Sequence, residues 1–259
     1  MKGRSIALSG PRRIIADVCY FAGDTTKGVI SRRLGLGPLA RVLAQLPRGA
    51  KPLWPAMIAR AYGLVAADMP ELRRAYVKFP WPHIYEYPMS VSMIATERVF
   101  DGEPTLFFVR MKGPEHMSLG ELAERLRRAK TVDWQEERDF RRVFAIASLP
   151  LPLRRLIWWL GLNIGRQRAN YFGTFGISSL AGQGATITNA VHMFTVLLSY
   201  GAMADDGSLE LFFSFDHRAF DGGVVARALS RLEEKLNGPI VEEIISAFPH
   251  ASGAGMASV

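Results

Sequence analysis

The spacing of apolar and polar positions along the chain predicts a mixed α/β protein. In residues 11–22, Ile14, Ile15, Val18 and Phe21 fall on one helical face, and Pro11 suits a first helical position. Residues 23–52 are rich in Gly and Arg and read as loop, with a short helix near Leu39–Leu46. Residues 55–68 are apolar and Ala-rich, as a buried helix would be, and Met69-Pro70-Glu71 breaks the pattern. Residues 83–98 and 104–110 are rich in β-formers and flank Asp101-Gly102, which predicts an antiparallel pair. Ser118 with Glu121 is a capping-box pattern opening a helix over 117–130, and 134–146 reads as a charged amphipathic helix. Strands are expected at 172–178, 193–203 and 208–216, and a final helix pair at 221–236 and 239–247. The small, Gly-rich tail 251–259 is expected to fray.

Residues 208–216 matter most. Leu211, Phe213 and Phe215 share one face of this strand, which ends at Asp216-His217-Arg218. Asp221-Gly222 then opens a helix in which Val225, Leu229, Leu232 and Leu236 recur at helical spacing, with Asp221 as its N-cap candidate. His217 is thereby placed on a turn between strand and helix, a position where chemistry is often found. A neutral imidazole can take a proton from a thiol or hydroxyl near pH 7. Read from these residues alone, His217 and Asp221 more often serve to cap and brace the turn.

Composition narrows the class. The 259 residues, 49% hydrophobic and 22% charged, are enough for a large core and fit one domain spanning 1–259. The net charge of +8 fits an anionic partner, or simply a basic soluble protein. Zinc-finger spacing and recognition-helix patterns are missing, so nucleic acid is not an expected partner. The lone Cys19 has no internal disulfide partner and reads as a small buried residue. No run reaches the roughly 18 apolar residues a bilayer span needs, and the N-terminus is too weak for a secretory signal, so a cytoplasmic location is expected. His83, His116, His192 and His250 show no metal-ligand spacing and read as turn or surface residues, so no metal is expected. No dinucleotide or phosphate-loop pattern is present.

The segment Asp216-His217-Arg218-Ala219-Phe220-Asp221-Gly222 resembles the His-Arg-x-x-Asp-Gly pattern of the dihydrolipoyl acyltransferase catalytic domain of 2-oxo acid dehydrogenase complexes, itself similar to chloramphenicol acetyltransferase. Gly173-Thr174-Phe175-Gly176-Ile177-Ser178-Ser179-Leu180 is similar to that family's Gly-Thr-Phe-Thr-Ile-Ser-Asn-Leu stretch. Leu8–Ala16 resembles its opening helix, and Trp54–Pro70 its helix ending in His-Pro-Glu.

The resemblance implies a two-layer α/β sandwich of the chloramphenicol acetyltransferase-like type, a mixed sheet with helices on one face. It implies a homotrimer, or trimers built into a larger assembly, with sites between subunits. His217 would be the general base, Ser178 the oxyanion donor and Asp221 a structural residue paired with Arg12 or Arg13. The implied activity is acyl transfer from coenzyme A, or a carrier thioester, to a hydroxyl, amine or thiol acceptor. A non-catalytic trimeric scaffold and a dehydrogenase core served by a lipoyl domain in trans are the alternatives.

Three departures bear on the substrate. The family's Thr-Ile-Ser-Asn is Gly176-Ile177-Ser178-Ser179 here, which keeps the serine and changes the loop that follows. No lipoyl-bearing segment is found in this chain, which makes free coenzyme A the simplest donor. Residues 149–168 are longer and more apolar than the family's segment, with Leu153, Leu156, Ile157, Trp158, Leu160 and Leu162 among Arg154, Arg155, Arg166 and Arg168. Such a segment suits a core helix, a lid over a small or lipid-like acceptor, or a peripheral membrane contact through 153–162.

Overall fold

The computed structural model describes residues 7–23, 27–100, 102–133 and 135–247. The chain runs α1 (Gly10–Ala22), β1 (Lys27–Gly35), α2 (Gly37–Gln45), α3 (Trp54–Asp68), β2 (Arg74–Val77), β3 (His83–Glu86), β4 (Val91–Phe100) and β5 (Glu103–Lys112). It continues through α4 (Leu119–Thr131), α5 (Arg138–Ala147), α6 (Leu151–Asn163), α7 (Gly165–Phe172), β6 (Phe175–Ser178), β7 (Val196–Tyr200), β8 (Ser208–Asp216), α8 (Gly222–Asn237) and α9 (Pro239–Ala247).

Local chemistry sets several of these boundaries. Ser9 caps α1 by accepting from the Arg12 amide at 3.3 Å, and Pro11 occupies its first turn. The capping box at α4 is complete: Ser118 Oγ accepts from the Glu121 amide, and the Glu121 carboxylate accepts from the Ser118 amide at 2.7 Å. The Ser118 amide, and then its hydroxyl, donate to the Glu121 carboxylate and hold it below its usual range.

Six strands form one mixed sheet in the order β1-β8-β7-β6-β4-β5; β2 and β3 form a separate hairpin. The β4–β6 and β6–β7 pairs are parallel and the rest antiparallel. The period of two then sorts the side chains. Val196, Leu198, Leu211, Phe213 and Phe215 join the main core under α2, α3, α4, α8 and α9. Leu197, with Met93 and Phe194, forms a small cluster on the opposite face. This is the expected mixed α/β sandwich.

Several details differ from the sequence reading. The stretch read as loop contains β1, which pairs with β8 over nine residues. It is an edge strand with Arg32 and Arg33 exposed, so its apolar signal is weak. The span 83–98 is not one strand: β3 pairs with β2, and only β4 pairs with β5. Cys19 is exposed, because α1 turns that side away from its neighbours. Residues 251–259 and His250 lie outside the described residues.

The segment 149–168 divides its readings by face. Trp158 and Leu162 are buried beside Met193, while Leu151, Leu153, Leu156, Trp159 and Leu160 are exposed. Among the described residues no helix is long and apolar enough to cross a membrane.

Candidate active site

Asp216, the last residue of β8, is fully buried. Its carboxylate accepts from the Arg218 amide at 3.1 Å and from the Arg218 guanidinium at 2.9 and 2.8 Å. Its carbonyl accepts from the Ala219 amide at 2.9 Å. The Arg218 guanidinium also lies 4.5 Å from the Tyr76 ring centroid, a cation–π contact. A side-chain turn and a main-chain turn are thus superposed, and both are anchored below the surface. The residue they hold outward is His217.

His217 remains about half exposed, with its ring 5.3 Å from that of Phe215. Its Nδ1 faces Asp221 Oδ1 at 3.4 Å. Asp221 occupies the N-cap position of α8, as expected, but its side chain makes no cap hydrogen bond and is directed at the imidazole. A carboxylate on Nδ1 favours the tautomer with the proton there, leaving Nε2 free to accept one. Asp221 is 86% exposed, so this is an orienting contact with little bearing on stability.

The expected pairing of Asp221 with Arg12 or Arg13 is not formed. Arg12 reaches Glu103 on β5 at 3.1 Å, and Arg13 Nε donates to the Leu8 carbonyl at 3.1 Å. Both arginines are drawn away along α1.

Ser178 is the last residue of β6 and is half-buried. It lies level with Ser199, which in turn faces Phe212 on β8. His217 is five residues beyond Phe212, toward the end of β8. At about 3.3 Å per residue and 4.8 Å per strand spacing, that is about 17 Å along the sheet and 10 Å across it. The two residues therefore occupy opposite ends of one chain's sheet.

One departure in the serine strand has a packing cause. A Cβ at Gly176 would lie 2.6 Å from the Phe194 ring and 2.9 Å from Leu197. The space a β-branched residue would need is already filled by these two side chains.

The sequence reading missed a polar group beside this turn. His192, expected on a turn or the surface, is buried, and its Nε2 lies 2.7 Å from Ser214 Oγ. Burial, and then the nearby Lys27, push its pKa down to about 3. Its imidazole is neutral in the folded protein and takes up a proton near pH 6.5 once unfolded. Between these values the unfolded state binds more protons, so acidification through that window destabilises the fold. The expected contribution is about 1.4 kcal/mol per pH unit from this group. Urea unfolding at pH 7, 6 and 5 should give a shallower pH dependence for His192→Gln than for the parent. Parallel curves would refute the buried neutral assignment.

Among the described residues no group of His, Cys, Asp and Glu could hold a metal ion. Beside the turn, a cavity of about 470 Å³ opens between α1, β2, α6 and α7, with Arg218 in its wall.

No family model matches the sequence. No curated protein matches it either. Solved structures do match. The Azotobacter vinelandii dihydrolipoamide acetyltransferase, studied for the catalytic roles of a serine, a histidine and an asparagine, is 15% identical, with a TM-score of 0.67 over 93% of this chain and 94% of that one. A truncated catalytic core of the 2-oxoacid dehydrogenase multienzyme complex from Thermoplasma acidophilum is 18% identical, with a TM-score of 0.63 over 92% of this chain and 99% of that one. A chloramphenicol acetyltransferase is 13% identical, with a TM-score of 0.50 over 86% of this chain and 94% of that one. The strand order, the helical layer and the turn carrying His217 thus belong to a chain with the fold of the dihydrolipoamide acetyltransferase catalytic core and of chloramphenicol acetyltransferase.

Proposed function

We propose that this chain is an acyltransferase that moves an acyl group from a coenzyme A thioester to a hydroxyl, amine or thiol acceptor, at sites shared between copies of the chain in a trimer. The observation that carries the reading is the turn itself. A half-exposed imidazole is held over an ion pair whose carboxylate, Asp216, is buried, and the Asp221 carboxylate faces its Nδ1.

In this mechanism Nε2 of His217 removes the acceptor's proton as the acceptor attacks the thioester carbonyl carbon. The tetrahedral oxyanion accepts a hydrogen bond from Ser178 Oγ of the adjacent copy. Collapse breaks the carbon–sulfur bond, and the imidazolium returns its proton to the departing thiolate. Asp221 orients the ring. The chain's +8 charge favours a donor that carries phosphates.

The fold likeness supports acyl transfer as the chemical class. The Azotobacter enzyme was probed at a serine, a histidine and an asparagine four positions after that histidine. Asp221 follows His217 at the same spacing, with a carboxylate where that enzyme has an amide.

The likeness to multienzyme cores favours one second reading, a dehydrogenase core charged by a lipoyl domain on another chain. Acyl transfer to free dihydrolipoamide, faster than to simple alcohols and amines, would select it.

The test is coenzyme A release from acetyl-CoA and longer acyl-CoA esters, with His217→Ala as the control. General-base loss should lower the rate about 100- to 10,000-fold. Equal rates in parent and variant, or no acyl-CoA turnover at all, would point to a non-catalytic scaffold.

A further inference from the structure

We propose that the cavity between α1, β2, α6 and α7 binds an organic anion, a carboxylate or phosphate carried on a flat apolar body, with Arg168 and Lys78 meeting its charge. The cavity holds about 470 Å³, the size of a small-ligand site. Tyr20, Tyr76 and Trp159 line it with aromatic surface, and Lys78, Arg168 and Arg218 line it with cations. None of its described lining residues is acidic.

Arg168 is the deciding residue. It is only 8% exposed. Its guanidinium donates to the Leu162 and Met193 carbonyls, each at 3.1 Å, and among the described residues it forms no ion pair. Those bonds fix its position without cancelling its charge. The buried carboxylate nearby, Asp216, is already gripped at both oxygens by Arg218. Burial disfavours the Arg168 charge most; Tyr87 and the already-engaged Asp216 favour it, and Arg218 opposes it. One carboxylate shared between two arginines leaves a buried cation under-compensated, and an anionic ligand would supply the missing charge. The aromatic walls suit a planar body beside that anion.

The cavity is built from one chain and needs neither His217 nor Ser178. Arg218 nevertheless adjoins His217 in the same turn, so a ligand here would lie beside the catalytic imidazole. That link to catalysis rests on the acyltransferase reading; binding does not.

Isothermal titration calorimetry with 2-naphthyl phosphate, 2-naphthoate and neutral 2-naphthol tests the proposal on the intact protein. Both anions should bind, and the naphthol should bind at least about tenfold more weakly. Lys78→Gln, at an exposed position, and Arg168→Gln should each weaken the anions about tenfold and leave the naphthol unchanged. Trp159→Ala should weaken all three. Displacement of 2-naphthyl phosphate by desulfo-coenzyme A would assign the site to the donor's phosphates, and failure to displace it would assign it to the acceptor. No binding by either anion, equal binding of the naphthol, or unchanged anion affinity in Lys78→Gln would overturn the proposal, whatever the acyl transfer assays give.

Discussion

Two inactive variants should restore activity when they share an oligomer. Ser178→Ala removes the proposed oxyanion donor, expected to slow transfer about 100- to 1,000-fold, and His217→Ala removes the proposed base, expected to slow it about 100- to 10,000-fold. Within one chain the two residues sit at opposite ends of the sheet, about 17 Å apart along the strands and 10 Å across them. On the proposed mechanism a working site therefore needs the imidazole of one copy and the hydroxyl of the next. Co-expression with two different affinity tags, followed by purification on both, yields mixed oligomers only. In a cyclic trimer holding both variants, one junction of the three joins an intact His217 to an intact Ser178. About one third of the parental rate should return, far above either variant alone. Mixed oligomers no more active than the single variants would show that the site is not shared between chains. An oligomer other than a trimer, measured by sedimentation, would change the recovered fraction but not its existence.

The two halves of this site differ in how readable they are from sequence. His217 and Asp221 lie four residues apart on a single turn, and β8 alternates cleanly enough that its bounds are read to the residue. Local pattern therefore determines their relation. The distance that separates Ser178 from His217 within one chain is set by the register of three strands, which no local window contains.

The same contrast separates α4 from β1. The capping box of α4 lies in four consecutive residues, and the helix opens where those residues place it. Strand β1 is an edge with polar residues on both sides, so its pairing to β8 is a tertiary event that leaves little period-two signal. His192 is two residues upstream of buried Phe194 in a loop, and only the approach of Ser214 from β8 explains a buried imidazole there. The cavity is the extreme case. Lys78, Arg168 and Arg218 come from three distant parts of the chain, and nothing in sequence marks them as neighbours.

Arg154→Met should be among the most destabilising single substitutions in the molecule. Arg154 on α6 pairs with Asp17 on α1, Nη2 to Oδ1 at 3.3 Å with a second, closer contact from Nε. The two side chains are 7% and 1% exposed, so neither end can recover water when the other is removed. Truncating the arginine leaves a buried carboxylate without a cation, at a cost of about 3–5 kcal/mol. For a chain of this size that corresponds to a melting temperature roughly 10 °C lower. The opposite holds when both charges go. Arg154→Met with Asp17→Leu replaces the pair by apolar side chains and should recover most of the loss, since an apolar pair is often as stable as a buried ion pair. Denaturant unfolding of the parent, both singles and the double gives the coupling directly. A loss below about 1 kcal/mol for Arg154→Met would mean that Asp17 finds another partner in the variant. The pair also fixes α1 against α6, which carry Tyr20 and Trp159 on facing walls of the cavity. Arg154→Met should therefore weaken 2-naphthyl phosphate binding as well, and the double variant should restore it along with stability.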